Sequence, residues 1–82
     1  MRKRGEWMKP TDDQILELLG DSELVLTPTV IAFNAGFNRS HVNRRLSEFV
    51  ERGLVRRVER GKYEITDEGL GYLSGSVDAS EL

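Results

Sequence analysis

Between residues 39 and 66 the chain reads RSHVNRRLSEFVERGLVRRVERGKYEIT, and this stretch holds eight of the twelve Lys and Arg residues of a protein whose formal net charge is −2. Arg39, Ser40, His41, Asn43, Arg44 and Arg45 crowd its start; Arg57, Arg60 and Lys62 follow near its end. Apart from the serine hydroxyl and the ring nitrogens of histidine, these side chains are chiefly hydrogen-bond donors. A guanidinium fork matches two acceptor oxygens at once, an asparagine amide offers a donor beside an acceptor, and a lysine supplies a compact point charge. Their joint chemistry is recognition of anions and of flat acceptor edges. Covalent chemistry has much less to work with. The chain has no cysteine and a single histidine, and it contains neither a Gly-x-Ser-x-Gly nucleophile turn nor a Gly-x-x-x-x-Gly-Lys phosphate loop. The carboxylate pairs Asp12/Asp13 and Asp67/Glu68 stand at expected helix starts, where capping and the helix dipole account for them. One histidine without cysteines builds no metal site. The expectation is a protein that is not an enzyme, with no metal, cofactor or small-molecule ligand.

Charge is segregated along the chain. Residues 1–11 carry a net +3, residues 12–35 a net −5, residues 36–63 a net +5 and residues 64–82 a net −5. A local positive field acts over a Debye length of about 8–10 Å, so an acidic remainder does not cancel it. At 82 residues the chain reads as one domain spanning 1–82, with 38% hydrophobic and 32% charged residues, an ordinary balance for a folded protein. No run approaches the roughly 18 apolar residues of a membrane span. Arg2, Lys3 and Arg4 are followed by no apolar stretch of the kind a signal peptide needs, so a cytoplasmic location is expected.

The elements that must position the basic residues can be placed from local signals. Thr11 and Gln14 have the spacing of a capping box, which predicts a first helix from Thr11 to Leu19 with Gly20 as its stop. Glu23–Leu26 reads as one short strand. Thr27 and Pro28 supply an N-cap and a first-turn proline for a second helix ending at Gly36, with Val30, Ile31 and Phe33 forming much of its buried side. Asn38 caps a third helix through Arg52, and Gly53 suits the left-handed residue beyond its end. At about 100° per residue, Val42, Leu46, Phe49 and Val50 form one stripe of that helix. Ser40, Arg44, Ser47, Glu48 and Glu51 lie opposite, with His41 at the edge and Asn43 and Arg45 on the flanks. Leu54–Glu59 and Lys62–Ile65 flank the Arg60-Gly61 loop of a hairpin. Thr66, Asp67 and Glu68 open a final short helix carrying Leu70 and Leu73. Residues 1–9 are expected to form a flexible basic arm with Trp7 as its anchor, and residues 74–82 a C-terminal tail.

This order implies an α+β, mainly α, fold: a three-helix core with a helix-turn-helix, then a β-hairpin wing and a last short helix. A helix-turn-helix sets the N-terminal part of its second helix against base edges in the major groove. The positive charge then gathers where such a helix and a wing would meet double-stranded DNA. Arg44, opposite the stripe, suits a guanine or phosphate contact. Asn43 suits adenine readout and equally a bond within its own helix. Ser40 suits a phosphate or the helix start, and His41 a surface position near phosphate. Arg60 and Lys62 fit phosphate contacts or a charged sheet edge. The rival reading is a winged helix used as a protein interaction module in a transcription or chromatin assembly. A homodimer joined through the apolar ends, around Trp7 and from Leu70 to Val77, would suit paired half-sites.

The segments RSHVNRRLSEFVERGLV, RGKYEITDEG and YLSGSVDASEL, with EWM followed by DDQILELL, resemble the archaeal winged helix-turn-helix proteins of the haloarchaeal phage repressor-like family. The resemblance spans nearly the whole chain. It implies a sequence-specific DNA-binding transcriptional regulator, a repressor, with Arg39, Ser40, His41, Asn43 and Arg44 in the matching recognition-helix segment.

Overall fold

The computed structural model describes residues 1–82. Its elements are α1 (Asp12–Ser22), α2 (Pro28–Ala35), α3 (Arg39–Glu51), β1 (Val55–Glu59), β2 (Lys62–Ile65) and α4 (Asp67–Ser74), followed by a 3-10 turn at Ala79–Glu81. The expected winged helix-turn-helix is present, with β1 and β2 paired antiparallel as the wing.

Three of the four helices start as their capping residues dictate. The Thr27 hydroxyl accepts from the Val30 amide, the Asn38 side chain from the Ser40 amide, and the Thr66 hydroxyl from the Gly69 amide. Each satisfies a donor that the first turn leaves unpaired. α1 departs from the rule. Thr11 is itself in helical conformation and its side chain caps nothing; its hydroxyl is instead 2.7 Å from His41 Nε2 of α3.

α1 also runs past Gly20 to Ser22 and ends on Glu23, which takes a left-handed conformation with φ 53°. Gly20 is a packing residue rather than a stop. A Cβ there would lie 2.6 Å from Leu73 Cδ1, so the missing side chain lets α4 approach. The strand expected at Glu23–Leu26 shrinks to a single bridge, in which Leu26 and Tyr63 exchange hydrogen bonds of 2.8 and 2.9 Å.

The core comprises Ile15, Leu16 and Leu19 of α1, Ile31 of α2, Val42, Leu46 and Phe49 of α3, with Leu54, Val55 and Tyr72 from the C-terminal half. Burial of each large side chain contributes about 1.5–3 kcal/mol. α2 corrects the expectation for its inner side. Ile31 and Ala32 face the core, whereas Val30 is 43% and Phe33 83% exposed. Successive residues turn by about 100°, so Phe33 lies on the far side of the helix from Ile31. Val50, expected in the α3 stripe, lies at the surface, and the stripe is completed by Arg45.

In the wing, Val55 pairs with Ile65, Arg56 with Glu64 and Arg57 with Tyr63, before a bulge between Arg57 and Glu59. Of β1 only Val55 is buried. Arg60 and Gly61 make the tip, and Gly61 has the positive φ of 75° that such a tight connection favours.

Residues 1–9 pack onto the fold, contrary to the expected flexible arm. Lys3 forms a parallel bridge with Asp78, and its carbonyl accepts from the Ala79 amide at 2.8 Å. Arg2 pairs with Glu17, Arg4 with Asp13 at 2.9 Å, and Arg4 also donates to the Lys9 carbonyl. Trp7 donates to the Ala79 carbonyl at 2.8 Å, meets Phe49 edge-on and lies under the Arg52 guanidinium, 4.2 Å from its ring centre. Two of the four cations of the N-terminal block, Arg2 and Arg4, are thereby neutralised by the acidic face of α1. Tyr72 completes this network by donating to Asp13 at 2.6 Å; burial first, and then this bond, push its phenol above the ordinary tyrosine range. No helix is long and apolar enough to cross a membrane.

Candidate nucleic-acid interface

α3 presents Ser40, Asn43, Arg44, Ser47 and Glu51 to solvent, with Arg39 exposed at its first turn. The Asn38 cap and the left-handed Gly36 before it set where this helix begins. A Gly at φ 76° can make the reversal between α2 and α3 without the strain a side chain would bring. Phe37 then packs against the core and meets the His41 ring edge-on.

Ion pairing sorts the cations. Six of the twelve Lys and Arg residues are held by carboxylates: Arg2, Arg4, Arg45, Arg52, Arg56 and Lys62. Of the six left without an acidic partner, Arg39 and Arg44 lie on the leading half of α3, and Arg57 and Arg60 lie on the wing. The remaining two, Lys3 and Lys9, belong to the N-terminal segment. Unneutralised cations on an exposed surface are what a polyanion displaces counterions to reach.

Arg45 does not belong to this surface. It is 8% exposed, and its Nε and Nη2 each lie 2.8 Å from an oxygen of Asp12, which is fully buried. Its Nη2 also reaches the Trp7 carbonyl at 3.4 Å. With the fork spent on Asp12, Arg45 joins α3 to α1 and is withdrawn from phosphate contact. The signal was in the spacing: Val42, Arg45, Leu46 and Phe49 follow the i, i+3, i+4, i+7 pattern of a buried stripe, and the charged member requires a buried counter-charge.

His41 is half-buried, with Nε2 engaged by Thr11, so it braces the start of α3 against the turn before α1. Asn43 makes no side-chain bond within the protein, which leaves both its donor and its acceptor free. Ser40 uses its amide in the cap and keeps its hydroxyl exposed. On the wing, Arg57 leans on Tyr63 with its guanidinium 5.7 Å from the ring centre, and Arg60 is exposed at the tip. Lys62 is paired with Glu59 at 3.2 Å. Both side chains of that pair are more than half exposed, and such pairs are worth about 0–1 kcal/mol, so Lys62 stays available to a stronger anion. Arg56 is paired across the strands with Glu64 at 2.5 Å.

Comparison with known proteins bears on the fold and the family. The model of the winged helix-turn-helix phage repressor family matches residues 1–82. The chain is 40% identical to the repressor protein of Halobacterium phage phiH over 86 residues, covering 100% of this chain and 97% of that one. It is also similar to the crystal structure of the PhiH1 repressor-like protein from Haloarcula marismortui, with a TM-score of 0.89, 35% identity, and coverage of 99% of this chain and 93% of that chain.

Proposed function

The chain belongs to the winged helix-turn-helix phage repressor family, and from that premise we propose that it represses transcription by binding a specific site in double-stranded DNA. The leading half of α3 enters the major groove and the wing lies on the phosphate backbone. The observation that carries this reading is the sorting of charge. Arg39, Arg44, Arg57 and Arg60 have no acidic partner and sit on the two elements a winged helix offers to DNA, while Arg2, Arg4 and Arg45 are held by carboxylates within the fold.

In this arrangement Arg44 and Asn43 read base edges, Arg39 and Ser40 approach the flanking phosphates, and Arg57, Arg60 and Lys62 hold the backbone from the wing. His41 supports the helix from its edge. Two copies on paired half-sites would raise affinity and specificity. Trp7 is engaged within the fold, whereas Leu70 of the other expected apolar end is exposed, and Leu24, Val25, Val30 and Phe33 offer further exposed apolar surface for such a contact.

Selection of bound sequences from a pool of random duplex DNA tests the proposal. Enrichment of one site is expected, and a palindrome would identify paired half-sites. An absence of duplex binding at low salt would overturn the reading and favour a protein interaction module.

A further inference from the structure

We infer that the Lys9 side chain is a third point of contact with the DNA backbone, alongside α3 and the wing, an inference that rests on the groove placement of α3 proposed above. At about 100° per residue, His41, Arg45, Glu48 and Arg52 share one edge of α3. The segment from Trp7 to Asp12 runs along that edge in the opposite direction. Trp7 lies under Arg52, Asp12 holds Arg45, and Thr11 bonds His41. Arg44 comes next around the helix, toward its outward face.

A helix with its side chains is about 10–12 Å across and the major groove is about 12 Å wide. A helix seated there has each edge beside one row of phosphates. A segment laid along the edge of α3 therefore meets that row directly. Lys9 is its exposed cation, and no carboxylate pairs with it.

The backbone under Lys9 is held in place. Its amide donates to Asp12 Oδ2 at 2.9 Å, and its carbonyl accepts from the Asp12 amide at 3.1 Å and from Arg4 Nη2 at 2.8 Å. Asp12 is the same residue that grips Arg45 of α3. One buried carboxylate thus sets both the recognition helix and the base of the lysine, so that little backbone order has to be created on binding.

The test compares wild type, Lys9→Gln, Lys9→Arg and Lys3→Gln for binding to the selected duplex and to a random duplex across a series of salt concentrations. Lys3 is the control because it lies against Asp78 at the other end of the N-terminal segment. Lys9→Gln is expected to weaken both duplexes by the same factor and to reduce the log–log salt slope by about 0.9, the value of one phosphate contact. Lys9→Arg should keep the wild-type slope, and Lys3→Gln should leave affinity and slope unchanged. A wild-type slope and affinity in Lys9→Gln, with wild type itself binding DNA, would overturn this inference alone. Failure of wild type to bind either duplex at low salt would overturn it together with the proposed function.

Discussion

Arg45 of α3 and Asp12 of α1 face each other through two parallel contacts of 2.8 Å, out of reach of solvent. This pair fixes how the recognition helix sits on the first helix, and its worth depends on both partners being present. Removing one leaves an uncompensated buried charge, which costs about 3–5 kcal/mol, whereas replacing both by apolar residues of similar volume is often neutral. Asp12→Ala should therefore lower stability by about that amount in urea unfolding, and Asp12→Leu combined with Arg45→Met should recover most of it. A loss below about 1 kcal/mol in Asp12→Ala would show that the pair does not hold the helices together.

Base reading and backbone holding should separate by mutation. Arg44→Ala is expected to cost about 1–3 kcal/mol on the selected site and much less on random duplex, relaxing the preference at one base pair. Arg60→Ala should weaken both duplexes about equally and lower the salt slope by about one contact. Equal weakening of both duplexes by Arg44→Ala would make Arg44 a phosphate contact and shift base readout to Asn43.

The two phenylalanines of α2 and α3 should respond very differently to truncation. Phe49 is fully buried, so Phe49→Ala should destabilise the fold by about 3–5 kcal/mol. Phe33 is 83% exposed, so Phe33→Ala should stay within about 0.5 kcal/mol in thermal unfolding of the dilute protein. Any dimer that uses the outer face of α2 would show in the same variant as a loss of association in sedimentation.

Tyr72 gives stability a pH dependence on the alkaline side. Its phenol titrates above the usual value because it is buried and donates to Asp13. An unfolded tyrosine loses its proton near pH 10 while the folded one retains it. The folded state then binds more protons than the unfolded state, and stability falls as pH rises above about 10. Urea unfolding from pH 8 to 11 should show a shallower decline in Tyr72→Phe than in wild type.

Local signals accounted for much of the fold and of the proposed DNA face. Thr27, Asn38 and Thr66 cap their helices through contacts two or three residues away, so adjacent sequence suffices to place them. The outward position of Arg44 follows from helical periodicity alone. What was missed depends on distant partners. Arg45 meets Asp12 33 residues away, and its charge outweighed its place in the buried stripe. Phe33 shows the converse: its apolar type points to burial, yet both sides of α2 are apolar and only the one carrying Ile31 and Ala32 meets the core. The N-terminal segment looked unattached because its partners, such as Ala79, are as far as 72 residues from Trp7. The place of Lys9 is not legible in local sequence for the same reason, since only the tertiary course of residues 7–12 brings it beside α3.

The bridge between Lys3 and Asp78 has a consequence for the order in which the chain takes shape. The backbone on which residues 3 to 7 dock, around Asp78 and Ala79, is made more than seventy residues after them. Closing so long a loop is costly until the intervening helices have brought its ends together. The backbone of Lys3 and the indole of Trp7 therefore meet these partners only after α3 and the wing have been made, whereas Arg2 and Arg4 have Glu17 and Asp13 of α1 within short reach from the start. The contacts of residues 7 to 12 with α3 need nothing beyond Arg52, so a nascent chain cut short before Ala79 keeps that brace and lacks only the backbone on which Lys3 and the Trp7 indole dock.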